Sequence, residues 1–136
     1  MKLLKILKNY NLKQCLGIHI RTWKTNNSFS DERSSNERYD HYLKNKYRYI
    51  EFINASKYHN IFMCCDNYIE MEDIINKISN KNIILYRHNN NLNDLQNDFS
   101  ELLLCSKCNF ILGSLNSTYS ELAWWYSKCI DNIKII

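Results

Sequence analysis

The sequence predicts an α/β domain, with a mainly parallel β-sheet of four to five strands covered by helices on both faces. Short apolar runs alternate along the chain with longer segments whose apolar residues recur at helical spacing. That alternation is typical of parallel strands joined by crossover helices. The chain has 136 residues, 45% of them hydrophobic and 13% aromatic, which is enough material for one core. We therefore expect a single domain over residues 1–136.

The strands are predicted from short apolar runs bounded by polar residues. Four buried strands are expected at residues 15–20, 60–65, 82–86 and 109–112, and residues 133–136 form a candidate fifth. A polar stretch without periodicity, residues 22–37, follows the first strand and predicts a long loop above its carboxyl end. Ligands bind at that edge of open parallel sheets.

The helices are predicted from apolar stripes between the strands, and each stripe should face the sheet. The four stripes are Tyr39, Leu43, Tyr47 and Ile50; Met71, Ile74, Ile75 and Ile78; Leu95, Phe99, Leu102 and Leu103; and Tyr119, Leu122, Ala123 and Tyr126. Each strand is then followed by a crossover helix. Residues 1–10 predict a short amphipathic helix, because lysines interrupt the apolar run that a signal peptide or a membrane span needs.

The charges and the cysteines limit the class of partner and the compartment. The net charge of +4 comes from scattered Lys and Arg, which favours anions the size of nucleotide phosphates over long nucleic acid. Without an export signal, the six cysteines should be reduced thiols in the cytoplasm. We expect neither a disulfide framework nor a membrane partner.

An arginine ends the first predicted strand, within residues 17–23. Strand alternation puts His19 and Arg21 on one side of the pleat and Ile18 and Ile20 on the other. The planar guanidinium of Arg21 can contact two oxygens of a pyrophosphate at once. The alternative is a surface arginine that only ends a strand.

The second motif, residues 113–121, follows the predicted strand at 109–112. Thr118 and Glu121 have capping-box spacing, so a helix should start at or near Thr118. Its amino terminus would then face the carboxyl edge of the sheet and favour an anion, with the hydroxyls of Ser117 and Thr118 beside it. Ordinary capping without a ligand is the alternative.

The third motif is Asp66, which directly follows the strand at 60–65. By default it would cap the next helix. It is also placed to accept a hydrogen bond from a ribose hydroxyl or a guanine edge, as acids after a second strand do in dinucleotide-binding folds.

Other motifs point away from metal and redox chemistry. Cys105 and Cys108 have C-x-x-C spacing, but they close a helix before a strand, whereas a redox pair opens one after a strand. A structural zinc would need two more ligands at suitable spacing, so we expect plain thiols and no metal. No Gly-rich phosphate loop or dinucleotide fingerprint occurs, which argues against an ATPase or a nicotinamide enzyme.

The three motifs together resemble the fucosyltransferase superfamily of protein O-fucosyltransferases, α1,6-fucosyltransferases and bacterial nodulation-type enzymes. His19-Ile20-Arg21 looks like its His-x-Arg motif. Residues 62–66 are similar to its second motif, a strand ending in Asp, and residues 98–126 resemble its third. The resemblance runs from about residue 15 to residue 126, which is nearly the whole chain.

The resemblance implies a Rossmann-like three-layer domain, as in the donor half of a GT-B glycosyltransferase, that binds GDP-fucose as donor substrate without a metal or another cofactor. The implied substrate-binding residues are His19, Arg21, Asp66, Ser114, Ser117 and Thr118. Arg21 would be catalytic, holding the β-phosphate and helping GDP leave. Asp66 would contact the nucleoside, Ser117 and Thr118 the phosphate, and His19 would support the site through the ribose or phosphate.

Three functions stay open on the sequence. The first is fucosyl transfer, with a separate domain or chain supplying the acceptor site. The second is a remnant that binds nucleotide without turnover. The third is an interaction module for protein or nucleic acid, although no aromatic-rich strand of the RNA-stacking type is present.

Overall fold

The computed structural model of the protein describes residues 11–25, 28–29, 35–128 and 131–136. The helix predicted over residues 1–10 lies outside the described residues, as do residues 26–27 and 30–34 of the predicted loop. Strands are numbered β1 to β7 and helices α1 to α4, in chain order.

Five strands form one sheet in which every neighbouring pair is parallel. Its strands are β1 (Cys15–Ile20), β4 (Asn60–Cys65), β5 (Asn82–Leu85), β6 (Phe110–Gly113) and β7 (Ile133–Ile135). The helices between them are α1 (Ser35–Ala55), α2 (Tyr68–Asn76), α3 (Asp94–Ser106) and α4 (Thr118–Tyr126). A short antiparallel pair, β2 (Lys24–Thr25) and β3 (Ser28–Phe29), stands between β1 and α1. The predicted α/β class is confirmed, and each strand of the main sheet is joined to the next by a helix.

The strand order is β5–β4–β1–β6–β7. The chain therefore builds outward from β1 on one side, then returns and builds outward on the other. All six residues of β1 are buried because the strand has a neighbour on both sides and helices above and below it. The order reverses between β1 and β6, and in doubly wound sheets the carboxyl edge at such a reversal is where ligands bind.

The two faces of the sheet carry separate apolar clusters, which makes three layers. Ile18 and Ile20 of β1 pack in one cluster with Tyr49 and Ile53 of α1 and with Ile74 of α2. The opposite face packs against α3 and α4 through Phe62, Cys64, Leu102, Leu104 and Ala123. The β-strand alternation predicted for residues 18 and 20 is thus confirmed.

The inward face of α1 differs from the predicted stripe. Ile50 is buried as predicted, but Leu43 and Tyr47 are exposed, Tyr47 to 61%, and Tyr42, Tyr49 and Ile53 are buried instead. The inward face also contains Lys46, whose ammonium lies 2.5 Å from Glu70 Oε2 and pairs with Asp73 as well. A lysine in the inward stripe interrupts the apolar periodicity, and its partners lie on α2, so the stripe could not be read from α1 alone.

The stripe predicted for α3 is confirmed at Leu102, which is buried, and Leu103 packs against the same core. Leu95 is 77% exposed and Phe99 is also exposed, while Asn97 is buried. The Asn97 side chain accepts from Tyr86 Oη and Asn89 N and donates to three backbone carbonyls, so its burial costs little. On α4, Leu122 and Tyr126 are exposed and Ala123 is buried. The stripe predicted for α2 is confirmed at Met71 and Ile74.

Among the described residues, no helix has the length and apolar character needed to cross a lipid bilayer.

Candidate functional site

Ser114 joins the ends of β1 and β6 at the point where the strand order reverses. Its hydroxyl donates to His19 O at 3.0 Å and accepts from Arg21 N at 2.8 Å. Tyr49 Oη lies 2.8 Å from the same oxygen and donates to it, because the single Ser114 proton is already used. All hydrogen-bonding positions of the Ser114 hydroxyl are therefore used within the protein. Ser114 positions Arg21 beside α4, and its hydroxyl has no hydrogen-bonding position left for a phosphate.

The Asp66 side chain binds Arg21, Thr22 and Trp23, the three residues that follow β1. Its carboxylate accepts from Thr22 N and Thr22 Oγ1, both at 2.8 Å, and from Trp23 N at 3.1 Å. Arg21 Nη1 lies 3.1 Å from Asp66 Oδ2. The parallel register explains this arrangement, because Ile20 pairs with Cys65 and the next residues of the two strands lie side by side.

The prediction that Asp66 caps the following helix is wrong. Asn67 caps α2, since its side-chain oxygen accepts from Glu70 N at 3.1 Å. Asn67 also donates from Nδ2 to Lys24 O. Because Asn67 caps α2, the Asp66 carboxylate can bind the segment that contains Arg21 instead.

Trp23 sits in the left-handed backbone region, with φ of 67°. Such a conformation costs about 1–3 kcal/mol for a bulky residue and persists only where the surroundings fix it. Here the fixing contact is the hydrogen bond from Trp23 N to Asp66. Two guanidinium groups lie over the Trp23 ring, with Cζ of Arg21 at 5.0 Å and Cζ of Arg38 at 4.2 Å from the ring centre. Both arginines are thereby oriented at the carboxyl edge of the sheet.

His19 is buried and neutral. Its ring stacks on Tyr119 with centres 4.2 Å apart, and its Nδ1 lies 2.7 Å from Ser120 Oγ. Burial, with the charge of Arg21 as a smaller cause, lowers the pKa of His19 to about 3. At neutral pH this imidazole therefore carries no charge, and its contribution to the site is its position between Arg21 and α4.

Cleft one is a cavity of about 580 Å³ at the carboxyl ends of β1 and β4, a size typical of small-molecule sites. It is lined by His19, Arg21, Cys64, Cys65, Asp66, Tyr68, Asp94, Asp98, Glu101 and Tyr119. The structure thus brings three of the predicted site residues together, namely His19, Arg21 and Asp66. One cation faces several carboxylates in this cleft.

Three acidic side chains of α3, Asp94, Asp98 and Glu101, form an acidic wall of cleft one. None of the three sequence motifs predicts it. The acidic residues have a spacing of four and three, which puts them on one helix face, and this periodicity was the available signal. Burial raises the pKa of Glu101 to about 7, and the charge of Asp98 contributes in the same direction. Glu101 is therefore close to half protonated at neutral pH.

The structure does not bring Ser117 and Thr118 into cleft one. They line a second cavity, called cleft two here, of about 600 Å³. Helix α4 starts at Thr118 as predicted, but its cap is Ser117, whose side chain accepts from Ser120 N. The predicted Thr118–Glu121 capping box is therefore wrong. The first turn of α4 stands between the clefts, since Tyr119 lines cleft one.

Cys105 and Cys108 are free thiols buried where α3 ends before β6. Within the part of the chain that the structure describes, no group of three or more His, Cys, Asp and Glu side chains is arranged to hold a metal ion.

Comparison of the sequence with models of known protein families and with curated proteins found no match.

Proposed function

We propose that the domain binds a nucleoside diphosphate sugar in cleft one, with GDP-fucose as the first candidate, and that Arg21 holds the diphosphate. The observation that carries the proposal is the placement of Arg21 at the reversal of strand order, with its guanidinium oriented by Asp66 at 3.1 Å. Ligands of doubly wound domains bind at this position. The resemblance of the three sequence motifs to fucosyltransferases supports the choice of donor.

Arg21 keeps binding capacity after pairing with Asp66. A guanidinium has five N–H donors, and the ion pair with Asp66 engages Nη1. Asp66 also accepts three hydrogen bonds from Thr22 and Trp23, so much of its charge is satisfied by the loop. The remaining donors of Arg21 suit two oxygens of a diphosphate.

The acidic wall indicates how the ligand would lie. A polyanion without hydrogen-bond donors would be repelled by Asp94, Asp98 and Glu101. A nucleoside diphosphate has an anionic end for Arg21 and ribose hydroxyls and base N–H groups for the carboxylates. Because the pKa of Glu101 is raised to about 7, part of the repulsion is removed at neutral pH. We place the nucleoside towards α3 and the diphosphate towards Arg21.

In a transfer reaction, Arg21 would act on the leaving group. The bond from the sugar anomeric carbon to the diphosphate oxygen breaks, a bond to the acceptor oxygen forms, and the acceptor loses its proton. A positioned cation stabilises the charge that develops on the departing diphosphate. The acceptor would be held by a separate domain or chain, and a domain that only binds nucleotide would use the same cleft. A reducing, cytosol-like location is part of this proposal, supported by the free thiols.

The test is calorimetric titration of the protein with GDP, GDP-fucose, UDP and ADP, repeated on Arg21→Ala. We expect the GDP compounds to bind and their affinity to fall about 10- to 100-fold in the variant, the cost of one or two charge-assisted hydrogen bonds. The matched control is Arg48→Ala, which removes an exposed arginine of α1 outside cleft one.

Two outcomes would overturn the proposal. If none of the four nucleotides binds the unmodified protein, cleft one is not a nucleotide site. Equal losses in Arg21→Ala and Arg48→Ala would show that charge alone, and not the position of Arg21, is responsible for binding.

A further inference from the structure

Cleft two is separate from cleft one, and the proposed function does not use it. It is lined by Arg38, Ser114, Leu115, Asn116, Ser117, Thr118, Ser120, Glu121, Trp124, Ile133 and Ile135. None of these residues lines cleft one. The lining comes from the start of α1, from α4 with the loop before it, and from β7. Cleft two therefore lies over the β6–β7 half of the sheet, and its volume of about 600 Å³ fits a small molecule.

Arg38 supplies a positive charge to cleft two. Its guanidinium is held over the Trp23 ring at 4.2 Å, and among the described residues it forms no ion pair. Stacking fixes the plane of a guanidinium and leaves its N–H edges directed outward. Those edges match the two oxygens of a carboxylate.

Cleft two also contains a negative charge and an apolar surface. Glu121 lies on α4 and is exposed. Trp124 and Ile133 are half-buried, and Ile135 is 42% exposed, so all three have surface left to cover. The cleft thus offers a ligand one cation, one carboxylate and a patch made of an indole and two aliphatic side chains.

We propose that cleft two binds a small zwitterion with an apolar side group, the chemical class of free apolar amino acids. The carboxylate of the ligand pairs with Arg38, its ammonium pairs with Glu121, and its side group packs on Trp124, Ile133 and Ile135. A simple anion would be repelled by Glu121, and a simple cation by Arg38. Only a ligand that carries both charges is complementary to the whole lining.

The experiment compares three probes that differ by one charged group each: L-phenylalanine, 3-phenylpropionate, which lacks the ammonium, and phenethylamine, which lacks the carboxylate. Binding is followed by NMR shifts of the isoleucine methyl groups, so that the response of Ile133 and Ile135 locates the site. We expect L-phenylalanine to bind about twofold to fivefold more tightly than either analogue, the effect of one partly exposed charge pair.

Two variants test which side chain binds each charged group of the ligand. Arg38→Gln should abolish the preference for L-phenylalanine over phenethylamine and keep the preference over 3-phenylpropionate. Glu121→Gln should do the reverse. Arg48→Gln makes the same change at an exposed position of the same helix and should leave both preferences intact.

The proposal is overturned if the methyl groups of Ile133 and Ile135 do not respond, or if the three probes bind equally well. It is also overturned if Arg38→Gln and Glu121→Gln leave both preferences unchanged, because Arg38 and Glu121 then take no part in recognising the charged groups of the ligand.

Discussion

At the scale of single residues, the site depends on two carboxylates in opposite environments. Asp66 accepts three hydrogen bonds and forms an ion pair with Arg21, so its carboxylate holds the segment after β1 in place. Glu101 lies on α3 in the same cleft, and burial raises its pKa to about 7. Asp66 therefore orients a cation through its contacts, while Glu101 changes its charge near neutral pH.

We expect Glu101→Gln to stabilise the protein at high pH. The pKa of Glu101 rises from 4.5 when unfolded to about 7 when folded, so between these values the folded state binds more protons and stability falls as the pH rises. The variant should match the wild type near pH 4.5 and exceed it by about 2–3 kcal/mol above pH 7. Urea unfolding from pH 4.5 to 8 measures this, with exposed Glu51→Gln as control. A constant difference across that range would contradict the assignment.

At the scale of elements, β1 and the end of α3 lie unusually close. A Cβ on Gly17 would stand 2.9 Å from both Cβ and Sγ of Cys108, and 3.1 Å from Cys105 O. Glycine is needed here for close approach of strand and helix and not for its backbone freedom.

Gly17→Ala should therefore destabilise the protein by about 1–3 kcal/mol, the usual cost of overpacking a core. Cys108→Gly removes the crowding atoms, so the double variant should lose less stability than the sum of the two single variants. Denaturant unfolding of the four proteins gives the coupling energy. Strict additivity would mean that Cys108 is not what excludes a side chain at position 17.

How far the sequence predicts these elements depends on where the partners of each residue lie. The strands β1 and β4 are predicted at their observed bounds because an unbroken apolar run is a local signal. The inward faces of α1 and α3 are predicted only in part, at Ile50 and Leu102. Lys46 and Asn97 lie on those faces because partners outside the helix bind their polar groups, and no helical apolar pattern predicts that. Arg21 and Asp66 could be placed at one edge by strand order. The separation of Ser117 and Thr118 into another cleft follows from the orientation of α4, which no local pattern contains.

At the scale of the whole molecule, the order β5–β4–β1–β6–β7 puts the first strand in the centre of the sheet. Its central position means that β1 shares hydrogen bonds with two parallel neighbours, whereas β5 and β7 have one each. The edge strands are also short, with four and three residues. Cleft one lies at the carboxyl ends of β1 and β4, whereas cleft two is lined by α4, the loop before it and β7.

Amide hydrogen exchange should follow this order. We expect the amides of β1 to exchange most slowly, at a rate set by global unfolding, and those of β5 and β7 to exchange faster through local opening. Exchange resolved by NMR would show the difference. Protection of β7 equal to that of β1 would indicate that the edge strand is covered in solution, by another part of the chain or by a second molecule.

The stacking of Arg21 and Arg38 on the Trp23 ring connects the two clefts, because Arg21 lines one and Arg38 lines the other. A ligand that draws one guanidinium away from the indole alters the support of the second. Thermodynamic linkage then requires reciprocity: whatever factor the occupant of cleft one applies to the affinity of cleft two, the occupant of cleft two must apply to cleft one. A single indole would thus be the element through which two chemically different ligands act cooperatively or antagonistically.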